Sequence, residues 1–114
     1  MHTLTAVPLA FACAALIPPG GVDRGPPADA RAVLAEVARA QAEYRTTYGR
    51  YTASLRALGI PRPADVDVRI TAEGAGGYAA VALAASEECA VFHGSARPPR
   101  SYARTAGRIA CRVR

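Results

Sequence analysis

Residues 30–51, ARAVLAEVARAQAEYRTTYGRY, decide the fold of this chain. Side chains that can be buried recur there at spacings of three and four, as they do along one face of an α-helix. The predicted buried face consists of Val33, Val37, Ala40, Tyr44 and Thr47, widened by Leu34, Gln41 and Tyr48. Asp29 lies where an N-cap carboxylate is expected, and Gly49 lies where a helix typically ends. The stretch therefore predicts one long amphipathic helix with a sharp C-terminal end.

Beyond this helix the periodicity of the apolar residues changes. Residues 52–59 predict a single helical turn, and Pro61 and Pro63 then favour an extended backbone. Apolar residues alternate with polar ones over residues 66–70, which is typical of a half-buried strand. Further strands are predicted over 78–84 and 89–93, with 109–113 as an optional fourth, and turns are predicted at 73–77 and 86–88. The predicted fold is α+β, with one long N-terminal helix packed on a small antiparallel sheet of three to four strands.

The chain divides into three segments by composition. Residues 1–17 form an apolar leader that is too short to span a bilayer comfortably. Ala12-Cys13-Ala14 and Ala10-Phe11-Ala12 both fit a signal-peptide cleavage pattern. Two alternatives stay open: Cys13 carries a lipid, or the true start lies upstream. Residues 18–28 are rich in Pro and Gly and predict a linker, and residues 29–114 form the folded head. The leader favours export to the periplasm, the cell envelope or the extracellular space.

The predicted hydrophobic core is small, which gives the cysteines a structural importance. Residues 30–114 contain only 20 large aliphatic or aromatic side chains, so a domain of this size benefits from a cross-link. Outside the leader, Cys89 and Cys111 are the only cysteines. If the protein is exported, a disulfide is favoured. A metal site would need Cys89, Cys111, His93 and a further ligand, and it is the less favoured alternative.

The C-terminal region is strongly basic. Residues 89–114 contain six Arg and no acid. Arg97, Arg100, Arg104 and Arg108 recur every three or four residues, followed by Arg112, and are the candidates for contact with an anionic ligand. Pro98, Pro99 and Gly107 argue against a continuous helix that would align them. All 14 basic residues are Arg, so codon usage is the favoured explanation of this composition.

No recognised catalytic motif occurs in the chain. The serines near His93 lack a nucleophile motif, and the glycines of residues 74–77 lack the Lys of a phosphate-binding loop. Glu87 and Glu88 are interpreted as a solvated turn rather than a catalytic pair. We therefore predict no catalytic residue, no cofactor, no metal and no small-molecule substrate.

Two regions of the chain, one at the end of the predicted helix and one in the predicted strands, carry a resemblance to a known family. Residues 38–44 (ARAQAEY), 48–52 (YGRYT) and the Leu58-Gly59 pair resemble the end of the spine helix of type IV pilins and type II secretion pseudopilins. Gly77-Tyr78, residues 89–92 and residues 109–111 resemble the later strands. The resemblance implies a pilin-like head and, as in many pilins, a loop closed by two C-terminal cysteines. The Gly-Phe cleavage site and the acidic fifth residue of a pilin are not found in residues 1–28.

These observations together predict the function. The expected protein is a non-enzymatic, exported, pilin-like accessory component of a type IV pilus or a type II secretion pseudopilus. It would act by protein–protein contact through its sheet and the disulfide-bounded loop, with pilus or secretion proteins as partners. The alternative is a basic module that binds DNA weakly, or an anionic surface, on the same head. Membrane attachment would come from the leader or from a lipid on Cys13.

Overall fold

A computed structural model describes residues 29–114 as one helix and one four-stranded antiparallel sheet. The elements are α1 (Ala30–Tyr48), β1 (Asp67–Ala72), β2 (Gly77–Leu83), β3 (Glu87–Gly94) and β4 (Ala110–Val113). The strands pair in the order β1-β2-β3-β4, so the sheet is a simple meander. The α+β class and the fourth strand are therefore confirmed. The predicted leader, the linker and Cys13 lie outside the described residues.

Both ends of α1 follow from local chemistry. The Asp29 carboxylate accepts a hydrogen bond of 2.7 Å from the backbone N–H of Ala32, which satisfies one of the free donors of the first turn. Gly49 has a φ of 77°, and its N–H donates to the Arg45 carbonyl at 2.8 Å. Only glycine adopts this left-handed conformation without a steric penalty. The predicted cap and the predicted helix end are both confirmed.

The buried face of α1 differs from the predicted one. Burial ends at Gln41, whereas Tyr44 is only half-buried, Thr47 is exposed and Tyr48 is 59% exposed. The Tyr44 ring instead packs beside the Tyr48 ring, with 4.5 Å between centroids. The prediction extended the face through the last turn because the spacing continues there, but spacing cannot show how far the partner sheet reaches. The residues that are buried are Ala30, Val33, Leu34, Val37, Ala40 and Gln41.

Gln41 has a second role that periodicity did not reveal. Its side-chain amide donates to the Thr52 carbonyl at 2.6 Å and accepts from the Thr52 N–H at 3.0 Å. The side chain is fully buried, and this pair of bonds satisfies both of its polar atoms. The amide therefore fixes the chain beyond Gly49 against the helix.

Both faces of the sheet are covered. On one face α1 packs over Val68, Ala80, Ala82, Cys89 and Val91. On the other face, the connection of residues 95–109 places Ala96, Ala103 and Tyr102 over Ala79, Val81, Ala90 and Phe92. Residues 77–82 of β2 are consequently buried on both sides rather than alternately. Among residues 29–114, no helix combines the length and apolar character needed to cross a membrane.

Candidate functional site

The two cysteines of the head form a disulfide between the last two strands. Cys89 of β3 and Cys111 of β4 are directly opposite in the register, with 4.0 Å between their Cα atoms. The bond closes a loop of 22 residues and therefore ties the basic connection to the sheet. The predicted pairing is confirmed. A structural disulfide is consistent with an oxidising compartment.

The donor atoms of Glu87, Cys89 and Cys111 lie within 4.8 Å of one another. Thiolates are the cysteine form that binds metals, and both sulfurs are here bonded to each other. His93 lies four residues from Cys89, towards the opposite end of β3, beside Tyr51 and Tyr78. The fold therefore does not bring together the metal site that the sequence offered as an alternative, which would have used Cys89, His93 and Cys111.

Glu88 is the buried acid of the loop-covered face. Its side chain is only 7% exposed, and the Oε2 atom accepts from Arg100 Nε at 2.7 Å and from the Tyr102 hydroxyl at 2.9 Å. Arg112 lies farther away, with 3.7 Å between its guanidinium and Oε1. The predicted turn at residues 86–88 is thus wrong for Glu87 and Glu88, which both belong to β3, and Glu88 is not solvated. The connection of residues 95–109 folds back over the sheet and supplies both donors.

The pKa values in this cluster follow from the contacts. The hydrogen bond from Tyr102 lowers the pKa of Glu88 below its ordinary value of 4.5. Burial opposes this shift, and the hydrogen bond from Arg100 and the Arg112 and Arg100 charges outweigh it. Burial, aided by the bond to Glu88, raises the pKa of Tyr102 to about 12. Glu88 is therefore ionised and Tyr102 is neutral at physiological pH.

We expect Glu88→Gln to weaken the fold in a pH-dependent way. A depressed carboxyl pKa adds stability above about pH 4.5, and this stability is lost as the pH falls through the folded-state pKa. At pH 7, loss of the charged acceptor should lower the free energy of unfolding by about 2 kcal/mol. Urea unfolding between pH 7 and pH 3 should show a smaller decline for the variant than for the wild type. Glu87→Gln, at the half-buried neighbouring residue, is the control. Parallel pH profiles for Glu88→Gln and the wild type would contradict the assignment.

The predicted anion-contacting arginines fall into two groups. Arg97, Arg104 and Arg108 are exposed, whereas Arg100 is half-buried and donates to Glu88 and to the Pro99 carbonyl. The Arg112 guanidinium lies over the Tyr102 ring, 5.1 Å from its centroid. Residues 95–109 form turns rather than a helix, so the regular spacing does not create one basic stripe. Contact of these arginines with an anionic ligand stays a prediction.

A second candidate site is an aromatic cleft between α1, the start of β2 and the end of β3. It has a volume of about 230 Å³ and is lined by Ala38, Ala42, Tyr51, Tyr78, His93 and Gly107. The Tyr51 and Tyr78 centroids are 5.1 Å apart, and the His93 ring lies 6.0 Å from Tyr78 in a stacked arrangement. The lining comes from four segments of the chain, namely α1 with the turn after it, β2, β3 and the connection before β4, so no local pattern could have revealed it.

Backbone contacts hold this aromatic cleft in shape. In addition to the bonds of the Gln41 side chain described above, the Tyr51 N–H donates to the Gly74 carbonyl at 2.8 Å. Tyr78 and His93 are opposite each other in the register of β2 and β3. The N–H of Gly107 donates to the Phe92 carbonyl at 2.7 Å, which brings the connection to the cleft wall. The rings are therefore fixed by the sheet and by the turn after α1.

The fold and these sites define the class of protein: a small α+β domain in which one helix and one disulfide-tied connection enclose a four-stranded meander. Comparisons with family models, with curated proteins and with solved structures found no match to this chain.

Proposed function

We propose that this protein is a non-enzymatic, exported, pilin-like domain that serves as an accessory component of a type IV pilus or a type II secretion pseudopilus. The observation that carries the proposal is the order of elements. A helix ends at a left-handed Gly49, a short irregular segment follows, and an antiparallel meander ends in a strand held by the Cys89–Cys111 disulfide. This is the order that the sequence resemblance implies. The disulfide adds support for export, because such bonds persist in oxidising compartments.

The proposed partner contact lies on the outer side of the connection of residues 95–109. Because α1 covers one face of the sheet and this connection covers the other, the sheet itself offers a partner only its edges. The outer side of the connection carries the exposed Arg97, Arg104 and Arg108. A partner with an acidic surface would complement this charge. The connection is attached to the sheet through the Cys89–Cys111 disulfide and the Glu88–Arg100 ion pair. Binding would therefore cost less conformational entropy than it would for a free loop.

Intact mass spectrometry of the protein recovered from its own cells tests export. The sample is alkylated before and after reduction, so that free and bonded cysteines differ in mass. We expect loss of the first dozen or so residues, and alkylation of Cys89 and Cys111 only after reduction. A lipid mass on Cys13 would also support export, with the head anchored to a membrane.

A full-length chain with thiols that react before reduction would contradict the proposal. In that case the protein would reside in a reducing compartment, where a secretion or pilus role is excluded. The fold described for residues 29–114 does not depend on this outcome.

A further inference from the structure

We propose that the aromatic cleft binds a single aromatic ring that carries a carboxylate. Such a group is supplied either by a free aromatic acid or by a C-terminal phenylalanine of a peptide. The inference concerns binding rather than turnover, and it is independent of the pilin-like proposal. It rests on the size of the cleft, the arrangement of its rings, one buried tyrosine whose hydroxyl has no hydrogen-bond partner within residues 29–114, and the local charge.

The size of the cleft fits one ring. Its volume of about 230 Å³ exceeds the roughly 150 Å³ of an engineered protein cavity that takes up benzene. The additional space allows for a substituent of two or three atoms. Ala38 and Ala42 form the helix side of the cleft, and their small side chains leave that space open.

The walls of the cleft suit an aromatic guest. The planes of Tyr51 and His93 are inclined by 72°, and those of Tyr78 and His93 by 24°. The cleft is therefore walled by aromatic rings of different inclination, and aromatic pairs prefer offset-stacked or edge-to-face contacts. An aliphatic guest of the same volume would lack these contacts.

Tyr78 is a buried residue whose hydroxyl finds no acceptor among the described residues 29–114. Tyr78 is only 4% exposed, and none of the side-chain hydrogen bonds formed within residues 29–114 involves its hydroxyl. Buried polar groups nearly always have a hydrogen-bond partner. Burial raises the pKa of Tyr78 to about 12, so the group remains a neutral donor at physiological pH. A carboxylate oxygen in the cleft would accept this hydrogen bond.

The local charge favours an anion over a cation. No acidic side chain lines the cleft in the described part of the chain. The Arg45 guanidinium lies over the Tyr51 ring, 5.5 Å from its centroid, and provides a positive charge at that side. Arg45 Nε also donates a long hydrogen bond of 3.4 Å to the Ala75 carbonyl. A carboxylate on the guest would thus be attracted, and an ammonium group would be repelled.

The test is an NMR titration of the ¹⁵N-labelled, disulfide-bonded protein. The probes are benzoate, the tripeptide Gly-Gly-Phe with a free C-terminal carboxylate, and benzylammonium as a ring of opposite charge. We expect saturable shifts of the Tyr78 and His93 amides, with a dissociation constant on the order of 1 mM for the better of the two carboxylates. Tighter binding of benzoate indicates a free acid as the natural guest, and tighter binding of the peptide indicates a C-terminus. Benzylammonium should bind at least about fivefold more weakly.

Matched variants distinguish the cleft from non-specific binding. Ala42→Leu places a larger side chain at the cleft wall and should weaken carboxylate binding at least about tenfold. Ala35→Leu makes the same change at an exposed site on α1 that does not line the cleft, and should leave binding unchanged. Tyr78→Phe keeps the ring but removes the donor and should weaken carboxylate binding by about three- to tenfold.

Three results would overturn the proposal. The first is the absence of saturable shifts with either carboxylate up to about 20 mM, well above the expected dissociation constant. The second is equal affinity of the Ala42→Leu and Ala35→Leu proteins. The third is equal or tighter binding of benzylammonium, which would exclude carboxylate recognition.

Discussion

We expect Leu34→Ala to lower the free energy of unfolding by about 3 kcal/mol, within the usual range of about 2–5 kcal/mol for truncation of a buried leucine. Leu34 is fully buried and belongs to the core cluster between α1 and the sheet, together with Val37 and Val91. The loss includes both the transfer of the side chain and the cavity left behind. Because small domains are stable by only about 5–15 kcal/mol, this single change removes a large part of the total. Urea unfolding followed by circular dichroism measures the effect.

The control for this prediction is Tyr48→Ala in the same helix. Sequence periodicity placed Tyr48 on the widened apolar face, but the side chain is 59% exposed and packs chiefly beside Tyr44. Its removal should change the free energy of unfolding by less than about 1 kcal/mol. Similar losses for the two variants would mean that the helix is buried along its whole length, as the sequence pattern alone predicts.

Removal of the disulfide should destabilise the protein by about 3 kcal/mol, because a loop of this length restricts the unfolded chain by roughly that amount. The expected loss is large for a core in which alanine supplies many of the buried residues of the sheet. The most direct comparison is the wild type with and without a dithiol reductant, because reduction breaks the cross-link and keeps both side chains. The free energy of unfolding in urea should fall, and the β3–β4 amides should exchange faster with solvent.

A double variant, Cys89→Ala with Cys111→Ala, provides the second measurement. It should be at least as unstable as the reduced wild type, because Cys89 is fully buried and its sulfur packs in the main core cluster. Equal unfolding midpoints for the oxidised and the reduced wild type would show that the cross-link does not stabilise the fold.

The parts of the fold that the sequence predicted depend on near neighbours. The ends of α1 follow from Asp29 and Gly49, each of which bonds to a residue three or four positions away. The strands follow from the alternation of side chains along an extended backbone, which is also a local property. The Cys89–Cys111 pair followed from elimination, since no other cysteine occurs outside the leader.

The candidate site was much less predictable. Gln41 and Glu88 are polar residues that the sequence pattern assigned to the edge of a helix face and to a turn. Both are buried, because Thr52 and the Arg100–Tyr102 pair provide hydrogen bonds from 11 to 14 residues away. The hydrophobic periodicity of the sequence does not predict such pairs. A polar residue is stable in the core only where the fold supplies its hydrogen-bond partner.

The sequence by itself determined the α+β class, the position of the helix, the order of the strands and the cysteine pair. The tertiary structure alone decided which turns of α1 are buried, that residues 95–109 cover the second face of the sheet, and that Tyr51, Tyr78 and His93 share one cleft. The physical reason is the range of the forces involved. Backbone conformation is set by each residue and its neighbours, whereas burial and polar pairing depend on which distant surfaces the folded chain brings into contact.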